Sequence, residues 1–270
     1  MISFPPCKIN LGLNVVSKRS DGYHNLETCF YPIPWTDALE IIPADKFSFS
    51  TSGNVIPGNT ADNLCVKAYE LLKKDFALAP ATIHLHKVIP SGAGLGGGSS
   101  DAAHTLRLLT RVFNLQLTAE KLNSYALLLG SDCPFFIEDK PMLGSGRGEV
   151  LTPVDVKLSG KFIVLIKPEE HISTAEAYAG VTSAKHSTSV KDILEKMPVE
   201  KWKNQLKNDF EGSVFGKHPI INGIKQKLYQ QGAVYASMSG SGSAVFGLFE
   251  KPVDLKNLFP QMIYWSSALA

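Results

Sequence analysis

The chain has 270 residues, of which 44% are hydrophobic and 19% are charged, and its formal net charge is +2. This composition predicts a globular protein of one large domain or two modest ones and excludes a disordered chain. The near-neutral charge, without a basic run or an apolar run of membrane-spanning length, argues against a nucleic-acid-binding or membrane protein.

The cysteines Cys7, Cys29, Cys65 and Cys133 form no CxxC pair and no zinc spacing. We therefore expect reduced thiols and a cytoplasmic protein. The N-terminal stretch lacks a basic leader and carries polar residues inside its apolar part, so we do not expect it to be a signal peptide.

In the first half of the chain, apolar periodicity predicts four strands and two helices besides the one discussed below. The predicted strands cover 8–16, 26–33, 38–42 and 82–89. One helix is predicted from Asn63 to Lys74, with Asp62 as its N-cap. A second follows Thr118 as N-cap and runs to Leu129, where Gly130 ends it.

Past Pro153 the pattern restarts, and we place a soft domain boundary near residue 152. The predicted elements are a strand over 161–166, a short helix over 174–180, a helical stretch over 189–206 broken at Pro198, a helix over 219–230, a hairpin-like pair over 233–238 and 244–249, and a strand over 262–266. Strict βαβ alternation is missing, so the expected class is α+β rather than a doubly wound sheet.

The most informative segment joins the strand at 82–89 to a helical pattern marked by Ala102, Leu106, Leu109 and Phe113. This segment, with five glycines between positions 92 and 98, consists of Pro90, Ser91, Gly92, Ala93, Gly94, Leu95, Gly96, Gly97, Gly98, Ser99 and Ser100. Glycine allows positive φ and a close approach of the backbone to a ligand. A helix that begins at Ser99 or Ser100 directs free N–H groups to the same place, so we predict a phosphate site.

Two other interpretations of this glycine loop are open. Gly92-x-Gly94-x-x-Gly97 matches the dinucleotide fingerprint, but about 90 residues precede it, and the stretch from Arg111 to Gln116 lacks the acidic residue that a nicotinamide-dependent oxidoreductase needs. The P-loop pattern is absent, because no Gly-Lys-Ser/Thr ends the loop. A glycine turn without a ligand is the structural alternative.

Other segments combine candidate chemistry with an ordinary structural alternative. Lys8 lies inside the first strand, where a lysine usually points to solvent, and Asp132 follows a helix end, where a carboxylate is often a turn residue. The segment Asp21-Gly22-Tyr23-His24 is typical of a hairpin turn, and Ser239-Gly240-Ser241-Gly242-Ser243 of a connection between strands. His84 and His86 share one strand face without a third ligand nearby, so packed or solvated histidines are favoured over a metal site.

Read together, three of these segments resemble the motifs of the GHMP kinases. The glycine loop is similar to their central phosphate-binding motif, Pro6–Leu11 to their N-terminal motif, and Ser239–Ala244 to their C-terminal glycine motif. The resemblance narrows to the branch that phosphorylates a cytidylylated methylerythritol. It rests on Lys8-Ile9-Asn10-Leu11, Arg19-x-Asp21-Gly22-Tyr23-His24, Gly130-Ser131-Asp132-Cys133-Pro134-Phe135-Phe136, Gly146-x-Gly148-Glu149 and Asn208-Asp209-Phe210-Glu211. Cys7, Cys133 and Phe210 depart from the common residues, and none of them is a charged catalytic group.

The resemblance implies an α+β fold of two domains with the active site in the cleft between them. The N-terminal domain, residues 1–152, would have the fold of the second domain of ribosomal protein S5 and carry the ATP loop. The C-terminal domain, residues 153–270, would be ferredoxin-like. Whether the last strand packs back on the N-terminal domain is open.

The resemblance also implies the reaction and the roles of individual residues. ATP would phosphorylate the 2-hydroxyl of the methylerythritol moiety, a step of the non-mevalonate route to isoprenoids, with Lys8 and Asp132 as catalytic residues. The glycine loop from Pro90 to Ser100 would bind ATP, and Mg²⁺ is expected at Ser99 or Ser100 together with the phosphates. The implied contacts to the acceptor are Asn10, Tyr23, His24, Thr174, Tyr178 and Gly240.

The implied partners are small molecules, with neither nucleic acid nor membrane, and the chain would be a monomer or a weak homodimer. Two alternatives remain besides the oxidoreductase. One is a GHMP kinase for another small alcohol, of the homoserine or mevalonate type, since the fold and the loop would be the same. The other is a nucleotide-binding module without enzymatic activity, against which the intact Lys8 and Asp132 argue.

Overall fold

The structure, a computed structural model, describes residues 1–181 and 188–269. Strands and helices alternate irregularly along these ranges, and this confirms the predicted α+β class. The strands are β1 (Ile2–Ser3), β2 (Pro6–Lys18), β3 (His24–Thr36), β4 (Ala38–Pro43), β5 (Ser48–Gly53), β6 (Ala81–Lys87), β7 (Met142–Gly146), β8 (Val150–Pro153), β9 (Phe162–Lys167), β10 (Tyr235–Met238), β11 (Val245–Phe249) and β12 (Ile263–Ala268). The α-helices are α1 (Leu64–Phe76), α2 (Gly97–Val112), α3 (Ala119–Leu129), α4 (Phe135–Glu138), α5 (Thr174–Ala179), α6 (Val190–Lys196), α7 (Trp202–Gln205), α8 (Phe210–Lys217) and α9 (Pro219–Gln230).

The chain divides into two compact units, and neither is continuous in sequence. Unit 1 comprises Met1–Cys7, Trp35–Ser91 and Gly96–Lys140. Unit 2 comprises Lys8–Pro34, Gly92–Leu95 and the chain from Pro141 onward. The boundary near residue 152, which divides the chain into two halves, stays a prediction.

Unit 1 is a four-stranded sheet covered by helices. Its strand order is β1-β4-β6-β5, with β5 and β6 parallel and the other pairs antiparallel. In the β4–β6 ladder, Leu39 pairs with Leu85, and both are fully buried. Leu72 of α1 and Leu106 of α2 pack into the same core, because both helices carry their apolar residues on one face.

Unit 2 contains two four-stranded sheets with the orders β2-β3-β7-β8 and β10-β11-β9-β12. In the second sheet all pairs are antiparallel, and β12 pairs with β9. Leu13, Val164, Phe210 and Ile224 belong to one core cluster, which joins strands of both sheets to helices α8 and α9. No helix within the two described ranges has the length and apolar composition needed to span a bilayer.

Most predicted elements are confirmed, but two predictions about helix starts are wrong. The N-cap of α1 is Asn63, whose side chain accepts from the N–H of Cys65, whereas Asp62 ends a short 3₁₀ turn. Helix α2 begins at Gly97, before Ser99 and Ser100, with Gly96 as its N-cap. The elements without a prediction are β1, β5, β7, β8, α4 and α8.

Candidate active site

The backbone of the glycine loop has the conformation that its sequence predicts. Gly92, Gly94 and Gly96 have φ of +64°, +76° and +69°, a region that residues with a Cβ rarely adopt. The last of them is the N-cap of α2, and it offers no side chain to bond the N–H groups of the first helical turn. Those N–H groups and the helix dipole therefore suit an anion at the start of α2.

Unit 1 brings the start of α2 next to the turn that carries Asp132. The half-buried Asp132 lies between α3 and α4, followed by Cys133. A side-chain hydrogen bond joins Ser99 to Cys133. Burial raises the pKa of the Cys133 thiol to about 12, a net value in which Ser99 acts in the opposite direction and the charge of Asp132 adds to the effect of burial. Cys133 therefore stays a thiol, and Ser99 lies near the turn that carries Asp132.

The two serines at the start of α2 have different surroundings. Ser100 is fully buried, and its hydroxyl has no hydrogen-bond partner among the described residues. Ser99 is half-buried. Of the two hydroxyls, that of Ser99 is the better placed to reach a ligand.

Unit 2 brings the N-terminal motif onto the first part of the glycine loop. The ammonium of Lys8, which is only 3% exposed, donates to Asn10 Oδ1 at 2.6 Å and to the carbonyl of Gly94 at 2.9 Å. It also lies 5.3 Å from the ring centroid of Phe30. Lys8 is therefore held against the loop and does not point to solvent, as strand lysines usually do.

Asn10 is oriented by the strand beside it. Its amide donates to Thr28 Oγ1 at 2.9 Å, and that hydroxyl donates to the carbonyl of Gly12 at 2.5 Å. Because the amide nitrogen is bonded to Thr28, the amide oxygen is left facing Lys8. A chain of hydrogen bonds thus fixes the position of the Lys8 ammonium.

The second glycine motif packs on the same part of the loop. Ser239 Oγ donates to the carbonyl of Gly94 at 2.9 Å, and the N–H of Ala244 donates to the carbonyl of Ala93 at 3.1 Å. A Cβ at Gly240 would lie 3.3 Å from Asn10 Oδ1. The N-terminal motif, the start of the glycine loop and the C-terminal glycine motif thus meet within unit 2.

The aromatic residues predicted to bind a base form two separate groups in unit 2. The rings of His24 and Tyr178 stack with centroids 4.8 Å apart, and the ring of Phe210 is nearly perpendicular to that of Tyr178, with centroids also 4.8 Å apart. Tyr23, which is 55% exposed, lies under the guanidinium of Arg147 at 4.9 Å. The structure thus pairs His24 with Tyr178 and places Tyr23 with Arg147.

Thr174 is the first residue of α5 and is exposed, and Ser173 is the N-cap of that helix. The described contacts join Thr174 neither to Lys8 and Asn10 nor to the stacked rings of His24 and Tyr178, so the role of Thr174 stays a prediction. His84 and His86 are hydrogen-bonded to Ser52 at 2.9 Å on the sheet of unit 1. No cluster of three metal-binding side chains occurs within residues 1–181 and 188–269.

Sequence reasoning missed a cavity of about 230 Å³ in unit 1 beside the start of α2. Phe49, Ile56 and Leu64 give it apolar walls, while Ser91 and Gly98 of the glycine loop line it as well. The cavity is built from stretches that are distant in sequence, and among them only the glycine loop carries a motif. Its mixed walls and its place beside a phosphate-type loop suit a nucleoside.

A buried charge cluster at this cavity was also missed. The ammonium of Lys87 contacts Asp37 Oδ2 and lies 2.6 Å from Asp101 Oδ2, and all three side chains are buried. Asp37 Oδ1 accepts the N–H groups of Val88 and Ile89 at 2.6 and 2.8 Å, just before the glycine loop. The cluster therefore ties the strand that enters the loop to the helix that leaves it.

Comparison with known proteins gives this site its context. The family models "GHMP kinases N terminal domain" and "GHMP kinases C terminal" match residues 63–139 and 186–264. A relative from Cytophaga hutchinsonii named 4-diphosphocytidyl-2-C-methyl-D-erythritol kinase is 57% identical over 250 residues, which cover 92% of each chain. A relative of the same name from Parabacteroides distasonis is 50% identical and covers all of both chains.

Solved structures agree with the relatives. A crystal structure of 4-(cytidine 5′-diphospho)-2C-methyl-D-erythritol kinase covers all of both chains with a TM-score of 0.85 at 30% identity. The mevalonate kinase of Methanococcus jannaschii has a TM-score of 0.72 at 13% identity, which shows a shared fold alone. The glycine loop, the Lys8 group and the second glycine motif thus belong to an ATP-dependent small-molecule kinase, and the chain is a member of the 4-diphosphocytidyl-2-C-methyl-D-erythritol kinase family within the GHMP kinases.

Proposed function

We propose that this chain transfers the γ-phosphoryl group of ATP to the 2-hydroxyl of 4-diphosphocytidyl-2-C-methyl-D-erythritol, giving the 2-phosphate and ADP. The observation that carries the proposal is the contact of Lys8 and Ser239 with one carbonyl, that of Gly94. This contact joins the three motifs of the family at one point of the loop. The family membership supports the acceptor, while a homoserine- or mevalonate-type acceptor has support only from the fold.

Phosphoryl transfer needs mainly positioning and charge stabilisation. In our proposal the backbone of Gly92–Ser100 binds the β- and γ-phosphates. The open first turn of α2 and the positive φ angles of the loop support this role. We place the nucleoside of ATP in the cavity beside the loop, because Ser91 and Gly98 belong to the loop and also line the cavity.

The acceptor is a tertiary alcohol, a crowded and weak nucleophile at neutral pH. We propose that the carboxylate of Asp132 accepts the proton of this hydroxyl. As the hydroxyl oxygen attacks, its bond to the γ-phosphorus forms, the bond from that phosphorus to the bridging oxygen of ADP breaks, and the proton moves to Asp132. The position of Ser99, in the first turn of the phosphate-binding helix and near the turn that carries Asp132, supports this role.

We propose that the ammonium of Lys8 stabilises the negative charge that develops on the transferring phosphoryl group. Three features support this role: its burial, its hydrogen bond to Asn10 and its contact with the loop carbonyl of Gly94. A fixed ammonium costs little reorganisation during the reaction, which is the condition for effective electrostatic stabilisation.

Magnesium travels with ATP and prefers oxygen ligands. The structure offers a hydroxyl at Ser99 but no three-residue metal cluster in the part of the chain that it describes. We therefore assign Mg²⁺ to the ATP phosphates together with Ser99. When bound, it neutralises charge on the phosphates. The metal, the cytoplasmic location and the oligomeric state stay predictions.

The reaction is tested by measuring ADP release from ATP with and without the cytidylylated methylerythritol. We expect the acceptor to stimulate release strongly and the product to carry phosphate on its 2-hydroxyl, as shown by phosphorus NMR. Homoserine and mevalonate are tested in the same assay as control acceptors. Stimulation by one of these, and none by the cytidylylated compound, would reject the assignment.

A second prediction concerns Tyr178, whose ring we assign to the cytosine of the acceptor. Tyr178→Ala should raise KM for the acceptor by roughly tenfold and leave KM for ATP unchanged, because a stacked base contributes about 1–3 kcal/mol. Tyr178→Phe keeps the ring and is the matched control, with near-normal kinetics. Equal losses toward both substrates in the alanine variant would indicate a packing role against Phe210 instead.

A further inference from the structure

The segment between β9 and α5 places an imidazole on the glycine loop within unit 2. A Cβ built on Gly92 would lie 2.7 Å from both Cε1 and Nδ1 of His171. The ring therefore lies directly against the backbone at the start of the loop, and His171 is exposed as well. A side chain at position 92 would displace it, in addition to the strain at a φ of +64°.

The second glycine motif holds this segment in place. Ser243 Oγ, which is fully buried, donates to the carbonyl of Glu170 at 2.5 Å. A Cβ at Gly242 would lie 3.1 Å from Ile172 Cδ1, so the residue after His171 packs on the same motif. The two neighbours of His171 in the chain are thus fixed by the motif that also bonds to the loop carbonyls.

The charged side chains near His171 include Glu169 and Glu170, which precede it in the chain. Glu176 is the acidic group that faces it from α5, and its carboxylate accepts from His218 Nε2 at 3.0 Å. That hydrogen bond lowers the pKa of Glu176, and the charges of His218, Lys217 and His171 lower it further. Glu176 is therefore an anion whose position is fixed by its hydrogen bond to His218.

An imidazole beside a loop of this type has an obvious chemical use. Its N–H groups donate to phosphate oxygens, and such bonds are strong because the acceptor is charged. We propose that His171 is a further phosphate-binding residue, which donates a hydrogen bond to the phosphates of ATP at Gly92. This role rests on the proposed function, because it needs ATP at the glycine loop.

The test measures nucleotide binding by calorimetry, without the acceptor. His171→Ala should weaken ADP binding by about tenfold, the size expected for one hydrogen bond to a charged group, and should not change adenosine binding. His171→Lys should restore most of the ADP affinity, because its ammonium also donates to phosphate. His86→Ala, at an exposed histidine of the sheet in unit 1, is the matched control and should bind ADP normally.

The outcomes separate this inference from the proposed function. Absence of ADP binding in the unmodified protein would reject the proposed function itself. Normal ADP binding in His171→Ala would overturn only the role of His171. Normal ADP binding together with a raised KM for the cytidylylated acceptor would also overturn it, and would assign the imidazole to the diphosphate of the acceptor. Equal loss of ADP and adenosine binding would show a structural role.

Discussion

Asp132→Asn lowers kcat by roughly 10²–10⁴-fold, because the variant keeps the shape of the side chain but has no group to accept the proton of the acceptor hydroxyl. KM for ATP stays near its normal value, since in our assignment the loop and not Asp132 binds the phosphates. The measurement is steady-state ADP release with both substrates varied in turn. A fall in kcat and kcat/KM together identifies an interaction made only in the transition state.

The control for this prediction is an aspartate outside the site. Asp155 has a side chain 72% exposed and lies 3.7 Å from Lys157, so Asp155→Asn should leave all rate constants unchanged. Circular dichroism and thermal melting should show that both variants are folded, because each substitution keeps the size and shape of the side chain. Normal turnover in a folded Asp132→Asn protein would remove Asp132 from the mechanism.

The sequence predicts the backbone conformation of the glycine loop well because its signal is local. Gly92, Gly94 and Gly96 need no partner to make positive φ easy, and the helix that follows carries its own apolar period. The error at its start is physical as well. Glycine is a poor helix former, so the pattern predicts a start at the serines, yet the close packing of Gly97 against Ile89 favours the extra residues.

The elements that the sequence does not show are those that depend on neighbours. Strand β5 is mostly polar and exposed, and it is defined by its parallel pairing with β6. Strand β1 has only two residues and exists through its ladder with β4. The cavity beside the loop has the same origin, because its walls come from stretches that are distant in sequence.

Some candidate site residues can be found from local sequence motifs, whereas others become candidates only through their neighbours in the structure. Lys8 is recognised through a family motif, and the structure adds the reason for its position, namely its bonds to Asn10 and Gly94. His171 lies outside the family motifs, and only its place on Gly92 makes it a candidate. The β4–β6 ladder, which sets Ala38 opposite His86, brings Asp37 close to Lys87, and helix α2 adds Asp101. No local pattern could predict that.

The cluster around Lys87 combines one ammonium and two carboxyl groups, and all three side chains are buried. Asp37 has Lys87 and two backbone N–H groups as donors, whereas Asp101 has Lys87, and its Oδ1 has no partner among the described residues. Burial, together with the charge of Asp37, raises the pKa of Asp101 to about 7, although Lys87 acts in the opposite direction. The same two carboxylates raise the pKa of Lys87 in spite of its burial.

These shifts make the stability of unit 1 depend on pH in a definite direction. The pKa of Asp101 is about 7 in the folded chain, above its ordinary value of 3.8, so the folded state binds more protons in the window between them. The free energy of unfolding due to this group therefore falls as pH rises from about 4 to about 7, and it is constant above that window. This is opposite to the behaviour of an ion-paired carboxylate whose pKa is lowered on folding.

Asp101→Asn removes this dependence, because an amide stays neutral at every pH and resembles the protonated acid. As the pH rises from 5 to 8, the free energy of unfolding of the variant should increase by on the order of 2 kcal/mol relative to that of the unmodified protein. Denaturant unfolding followed by circular dichroism across that range measures the difference, with Asp155→Asn as the control that shows no change. A parallel pH dependence for Asp101→Asn and the unmodified protein would mean that Asp101 is ionised throughout, with Lys87 balancing both carboxylates.

Since Lys87 and Asp101 also line the cavity assigned to the nucleoside, the same titration should appear as a change in ADP affinity that the asparagine variant lacks.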